Sequence, residues 1–125
     1  MNGSNIVADT SLLVNFFNGV EPALKVLSNS KIWVSVITEM ELLSYPPLSK
    51  KDATLLRSFL DECIITELTK PIRDITVHVR KNHKLKLPDA IIAATAIHLE
   101  FPVVTMDSDF NKIKELNAII LESGN

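Results

Sequence analysis

A single α/β domain built on a parallel central sheet is the architecture the sequence predicts, and three observations predict it. Short apolar, strand-like runs alternate with longer segments whose apolar residues recur at helical spacing, the pattern of βα units. Four acidic residues, Asp9, Glu41, Asp89 and Asp107, each stand where such a run ends or a helix begins. In an open parallel sheet these junctions collect along one edge, outside the carboxyl ends of the strands. The length, 125 residues with 46% hydrophobic and 22% charged, suits one globular domain over residues 1–125. Folding a chain of this size buries roughly two-thirds of its surface.

The elements follow in order. Residues 5–8, Asn5-Ile6-Val7-Ala8, form a short apolar run expected to be a buried first strand. Leu12, Leu13, Phe16 and Phe17 then mark one face of a helix. Glu21-Pro22 opens a second helix, with Ala23, Leu24 and Leu27 expected inward and proline tolerated in the first turn. Ile32-Trp33-Val34 is the next strand, with Trp33 in the core or at a subunit contact. Ser35 to Thr38 opens a helix that should end before Pro46-Pro47, because proline disfavours helix at the preceding residue. Residues 49–61 place Leu55, Leu56, Phe59 and Leu60 at helical spacing. Ile64-Ile65 reads as a strand and residues 70–83 as a helix. From Asp89 to Leu99 the chain is rich in Ala and Ile nearly all round, as expected of a helix covered on several sides. Phe101-Pro102-Val103-Val104-Thr105 is the last central strand, and Ile119-Ile120-Leu121 an edge strand.

Composition excludes several classes of protein. No run approaches the about 18 consecutive apolar residues of a membrane span, and Met1-Asn2-Gly3-Ser4-Asn5 lacks the basic and apolar stretches of a secretory signal. A cytoplasmic location is expected. Cys63 is the sole cysteine, so neither an internal disulfide nor a thiolate metal cluster is available; within Cys63-Ile64-Ile65 it reads as a buried, inert thiol. The three glycines form no phosphate loop. No Gly-x-Ser-x-Gly turn supports serine catalysis, and His78, His83 and His98 do not cluster with the acids. Thirteen basic residues against 15 acidic ones give a formal charge of −2, which announces no nucleic acid. The distribution is less even. Lys70, Arg73, Arg80, Lys81, Lys84 and Lys86 crowd one segment with His78 and His83, opposed only by Asp74. That segment is either a solvated helix face and loop or a surface for a phosphate backbone, with Lys81, Lys84 and Lys86 nearest the acids.

Four carboxylates gathered on one edge repel: two unit charges about 4 Å apart cost about 4 kcal/mol at an effective dielectric near 20. A hard divalent cation relieves that repulsion, and Mg²⁺ prefers carboxylate and water oxygens. Helix capping is the competing explanation for each acid. Asp9-Thr10-Ser11 suits a cap of the first helix, Thr38-x-x-Glu41 matches a capping box, Asp89 follows Pro88 where negative charge favours the helix dipole, and Asp107-Ser108-Asp109 suits a short helix carrying Phe110 and Ile113. Both roles can coexist, since a carboxylate has several lone pairs. Thr10, Ser11, Thr38 and Thr105 lie close enough in sequence to orient the carboxylates or hold metal-bound water.

These stretches resemble the PIN-domain ribonucleases and, within them, the VapC-type toxins of toxin–antitoxin pairs. The matching segments are Val7-Ala8-Asp9-Thr10-Ser11, the run from Ser35 to Leu42, Leu87-Pro88-Asp89-Ala90 with the Ala/Ile helix to Ala96, and Val104-Thr105-Met106-Asp107-Ser108-Asp109-Phe110. They occur in the family's order and span nearly the whole chain, and the third is the most specific. The resemblance implies a three-layer α/β/α domain and a metal-dependent endoribonuclease. It places Asp9, Glu41, Asp89 and Asp107 at the catalytic metal-site positions, with Thr105 as polar support. Mg²⁺ or Mn²⁺ is the implied cofactor and RNA the substrate. A VapB-like antitoxin and a second copy of the chain are the implied partners. Asp109 is either a further acid beside the metal or a cap. Met106 departs from the polar or basic residue often found before the fourth acid, which removes a possible phosphate contact.

Other metal-assisted folds match less well. A haloacid-dehalogenase phosphatase needs an acid where Ser11 stands, and a receiver domain needs an acid at a mid-chain strand end, whereas Asp52 and Asp61 lie in a helical pattern. A non-catalytic interaction module on a PIN scaffold is the alternative of a different class. Loss of an acid would favour it, and all four are present.

Overall fold

The fold was analysed in a computed structural model that describes residues 3–45 and 49–122. Five parallel strands, β1 (Ser4–Ala8), β2 (Ser30–Ser35), β3 (Ile64–Thr66), β4 (Val103–Thr105) and β5 (Ala118–Ile120), lie in the order β3-β2-β1-β4-β5. Six helices connect and cover them: α1 (Thr10–Phe17), α2 (Glu21–Ser28), α3 (Val36–Leu43), α4 (Lys50–Asp61), α5 (Lys70–Asn82) and α6 (Leu87–Leu99). A 3-10 turn over Ser108–Lys112 precedes β5.

Alternation along the strands builds two cores. Ile6 and Ala8 of β1, Val34 of β2 and Val104 of β4 pack with Leu12, Leu13, Ala23, Leu27, Leu42, Leu56 and Leu60, so α1 to α4 cover one face. Val7 and Val103 point the other way into a second core with Val79, Ala90, Ile92, Ala93 and Phe110, under α5 and α6. The helix α6 is buried at every residue from Ala90 to Ala96, which explains its lack of a polar stripe: it lies against the sheet and under α5. The result is the three-layer α/β/α domain.

From β1 the chain winds outward through β2 and β3, then returns to place β4 on the other side of β1. The direction of winding therefore reverses between β1 and β4. That crevice at the carboxyl ends is the customary place for a site in an open parallel sheet, and Asp9 is the first residue beyond β1.

Several sequence-based expectations need adjustment. Leu24 is exposed (38%) rather than inward, Leu55 is 55% exposed for all its helical spacing, and Phe17 is 42% exposed. Phe17 instead joins Phe16 and Phe59 in an aromatic group with ring centroids 5.1–5.3 Å apart. The cap of α3 is Ser35, whose side chain accepts from Ile37 N, so Thr38 and Glu41 do not form a capping box. They lie inside the helix with their side chains free for other partners. The helix α6 starts at Leu87, ahead of Asp89, and β5 begins one residue early at Ala118. Pro46 and Pro47 lie outside the described residues. Trp33 is half-buried, tilted against Phe101 at 5.1 Å and donating Nε1–H to Asn5 Oδ1 at 3.0 Å. Cys63 is half-buried; burial, reinforced by Glu62, pushes its thiol up to about 11, consistent with an inert role. No helix among the described residues is long and apolar enough to cross a membrane.

Candidate active site

The switch between β1 and β4 sets the geometry around Asp9. Val7 pairs with Val103 and Ala8 with Val104, so the next step along both strands puts Asp9 opposite Thr105. Thr105 Oγ1 donates to Asp9 Oδ2 at 2.5 Å. Ser11 Oγ donates to the same carboxylate at 2.9 Å, and Leu12 N donates to Oδ1 at 2.9 Å. Asp9 is therefore both the cap of α1 and the centre of a hydroxyl network. It is only 3% exposed. Burial pushes its carboxyl up to about 6; the donors from Thr105, Leu12 and Ser11 oppose that rise, and the charge of Asp89 adds to it.

Thr105 links two of the acids. Its hydroxyl donates to Asp9 and accepts from Asp107 N at 2.9 Å. Asp107 in turn caps the 3-10 turn, its Oδ1 accepting from Asp109 N at 2.9 Å. Ser11 Oγ accepts from Met106 N at 3.4 Å, which ties the loop after β4 to the start of α1. Glu41 reaches the cluster from α3. Thr10 Oγ1 donates to Glu41 Oε1 at 2.6 Å and lies 3.1 Å from Thr38 Oγ1, a buried hydroxyl. The arrangement leaves Thr10 and Thr38 steering one carboxylate while Ser11 and Thr105 steer another.

Asp89 sits in the first turn of α6. Its carboxyl is raised by burial first, then by the negative charges of Asp107 and Glu41, with Lys86 opposing and Asp109 adding. These mutual influences bring all four predicted acids, and Asp109 behind them, into one electrostatic field. None of the four makes an ion pair among the described residues, where the pairs are Lys70–Asp74, His78–Glu115 and His83–Glu115. The four offer hard oxygen donors alone, the donor type that divalent cations such as Mg²⁺ prefer.

Among the described residues, however, no three acidic, histidine or cysteine side chains are already drawn together tightly enough to hold an ion. The hydrogen bonds explain this. Asp9 is turned toward Thr105 and Ser11, Glu41 toward Thr10, and Asp107 toward its own cap. The carboxylates are near one another without being converged.

Lys81, Lys84 and Lys86 are exposed and line an open groove of about 790 Å³ beside the acids, together with Arg80 and His83. Arg80 was read from the sequence only as part of the wider basic segment, because its proximity to Lys84 and Lys86 depends on the turn that follows α5. His98 is exposed on the far end of α6.

A family model described as PIN domain matches residues 6–116. The chain belongs to the PIN-domain family. Among solved structures it is similar to a chain of a toxin–antitoxin complex from Klebsiella pneumoniae, at 30% identity and a TM-score of 0.82, covering 94% of this chain and 98% of that one. It also resembles chains of a promoter-DNA-bound VapBC2 from Rickettsia felis (21% identity, TM-score 0.74, 94% and 99% covered) and of a DNA-bound VapBC from Salmonella typhimurium (18%, 0.77, 94% and 98%). At those two identities the likeness is one of fold. No curated protein matches. The match to the Klebsiella chain along nearly its whole length agrees with the VapC-type resemblance carried by the four motifs of this PIN domain.

Proposed function

We propose that this PIN domain is a metal-dependent endoribonuclease that hydrolyses RNA phosphodiester bonds, and that it is the toxin of a type II toxin–antitoxin pair. The observation that carries the reading is the gathering at the strand switch of four acids that make no ion pair among the described residues, with hydroxyls holding Asp9 and Glu41 and with burial and the neighbouring acids raising the carboxyls of Asp9 and Asp89. Nuclease activity is the general function of PIN domains, and the similar solved chains come from toxin–antitoxin complexes.

Asp9, Glu41, Asp89 and Asp107 would hold the ion, Mg²⁺ or Mn²⁺, with Asp109 behind them. When bound, such an ion makes water a stronger nucleophile and offsets charge on phosphoryl oxygens. The chain's own contribution is orientation. Thr105 and Ser11 fix the plane of the Asp9 carboxylate, and Thr10 fixes Glu41. Asp89 has no side-chain hydrogen bond among the described residues, which leaves its oxygens free to face water or substrate. Thr105 further fixes the distance between Asp9 and the Asp107 loop through its second bond. Pre-set donors and acceptors of this kind cost no reorganisation when charge develops in the transition state.

The antitoxin would seat on the apolar groove between α1, α3 and α4, of about 320 Å³, where Phe17, Tyr45 and Leu55 stand exposed beside Val14 and Leu42. Contiguous apolar side chains on an exposed face mark an interaction surface. A homodimer in the cytoplasm completes the reading.

The test is cleavage of unstructured RNA by the purified chain. Endonucleolytic products with Mg²⁺ or Mn²⁺, absent in EDTA and absent for Asp9→Asn, support the proposal. Expression alone should then arrest growth, and co-expression of the neighbouring antitoxin gene should relieve it. A wild-type chain that is harmless and cleaves nothing in either metal would favour the non-catalytic interaction module instead.

A further inference from the structure

An open groove of about 790 Å³ is lined by Arg80, Lys81, Lys84 and Lys86 with His83, and among the described residues no carboxylate lines it. Four cations on one groove stand out in a chain of net charge −2. The turn after α5 produces it. The helix α5 ends at Asn82, His83 takes an extended conformation, and Arg80 Nε donates back to Leu85 O at 3.3 Å. That bond ties the guanidinium to the turn, and among the described residues its other N–H groups make no hydrogen bond. Glu115 stands outside the lining, its two oxygens facing His78 Nε2 at 3.4 Å and His83 Nε2 at 3.3 Å.

The groove ends beside the first turn of α6. Leu87, which lines it, opens that helix two residues before Asp89, and Lys86 is the residue before the helix. The cationic lining therefore stands next to the helix turn that carries Asp89. What lines it is also informative by type. Val77 and Leu87 supply its apolar wall, 55% and 49% exposed; among the described residues no Phe, Tyr or Trp lines it to stack a base, and the His83 ring is only 14% exposed and faces Glu115. Stacking platforms on single-stranded nucleic acid are aromatic, whereas phosphates are gripped by Lys and Arg.

We propose that this groove binds the phosphodiester backbone of single-stranded RNA, without reading its bases, and leads the strand to the acidic edge. The proposal rests on the nuclease reading for the identity of the polymer. Selection among RNA sequences, where it occurs, must then come from contacts outside this groove.

The experiment measures binding by fluorescence anisotropy in EDTA, where no cleavage occurs, using a labelled oligouridylate and an abasic oligonucleotide of the same length. The proteins are wild type, Lys81/Lys84/Lys86→Ala, and a charge-matched control, Lys25/Lys50/Lys51→Ala. The control residues are exposed on α2 and α4, over the opposite sheet face. Each lost phosphate contact flattens the log–log salt slope by about 0.7, so the groove variant should flatten it by about 2. Across a rise from about 50 to 200 mM KCl, wild-type affinity should fall about 20-fold further than that of the groove variant. The control should follow wild type, and the abasic strand should bind with the same slope.

A groove variant indistinguishable from the charge-matched control overturns the proposal. So does an abasic strand bound about tenfold or more weakly than oligouridylate. Parallel assays with Mn²⁺ separate the two readings. Continued RNA cleavage with an unaltered slope sinks the groove alone, whereas absence of both RNA binding and cleavage sinks the nuclease reading as well.

Discussion

Replacing Asp9 by Asn should make the metal-free protein more stable at neutral pH and leave it no more stable in acid. The carboxyl is buried among hydroxyls and its folded value lies near 6, against an ordinary 3.8. A raised folded value means the unfolded chain gives up this proton more readily. Above about pH 6 the fold therefore carries an ionised carboxylate in a poor environment, at a cost of about 3 kcal/mol. Below about pH 4 the group is neutral in both states and the penalty vanishes. Asparagine keeps an acceptor for Leu12 N, and its amide can donate to Thr105 Oγ1 and Ser11 Oγ, which are already close to the carboxylate. The loss of the charge-assisted bonds is already contained in that net figure. The expectation is a gain of about 3 kcal/mol near pH 8, falling below about 1 kcal/mol near pH 4. Urea unfolding in EDTA at both values measures it, and the difference between variant and wild type isolates this one group. A loss of equal size at both pH values would refute the reasoning, because burial of a charge could not then be the governing effect.

Other substitutions separate roles within the site. Asp89→Asn should leave secondary structure and unfolding cooperativity intact while reducing RNA cleavage by more than the roughly 10–100-fold typical of groups that only orient a ligand. Thr10→Val removes the donor to Glu41 Oε1; cleavage should fall about 10–100-fold, and Thr10→Ser should restore most of it. Thr105→Val strips a donor from Asp9 and an acceptor from Asp107 N at once, so thermal or urea unfolding should report a loss of about 1–3 kcal/mol along with the activity.

Much of the fold was legible because the elements obey simple periodicities. The alternation of Ile6, Val7 and Ala8 between two cores and the apolar ring of α6 follow from burial on both faces of a parallel sheet. The acids were legible as junction residues, since a parallel sheet carries its strand ends to one edge. What local pattern could not supply was pairing. Thr38-x-x-Glu41 has the spacing of a capping box, yet Ser35 ends a strand and takes the cap first, which frees Glu41 to meet Thr10 from another element. Leu24 and Leu55 have helical spacing but fall at the margins of their helices' buried faces, where a one-residue rotation decides exposure. Arg80 joins the lysines only through the turn at His83, and the bond between Asp9 and Thr105 spans 96 residues. Contacts of that kind are set by topology, and the winding reversal between β1 and β4 is what brings them about.

Whether the acidic edge holds a divalent cation is open to direct measurement by Mn²⁺ titration of the metal-free protein, following the free ion by electron paramagnetic resonance. A metal-holding edge requires saturable uptake by wild type, no such uptake by an Asp9→Asn/Asp89→Asn double variant, and RNA cleavage that rises with the same occupancy. Equal uptake by the two proteins, or wild-type cleavage undiminished in EDTA, would contradict it.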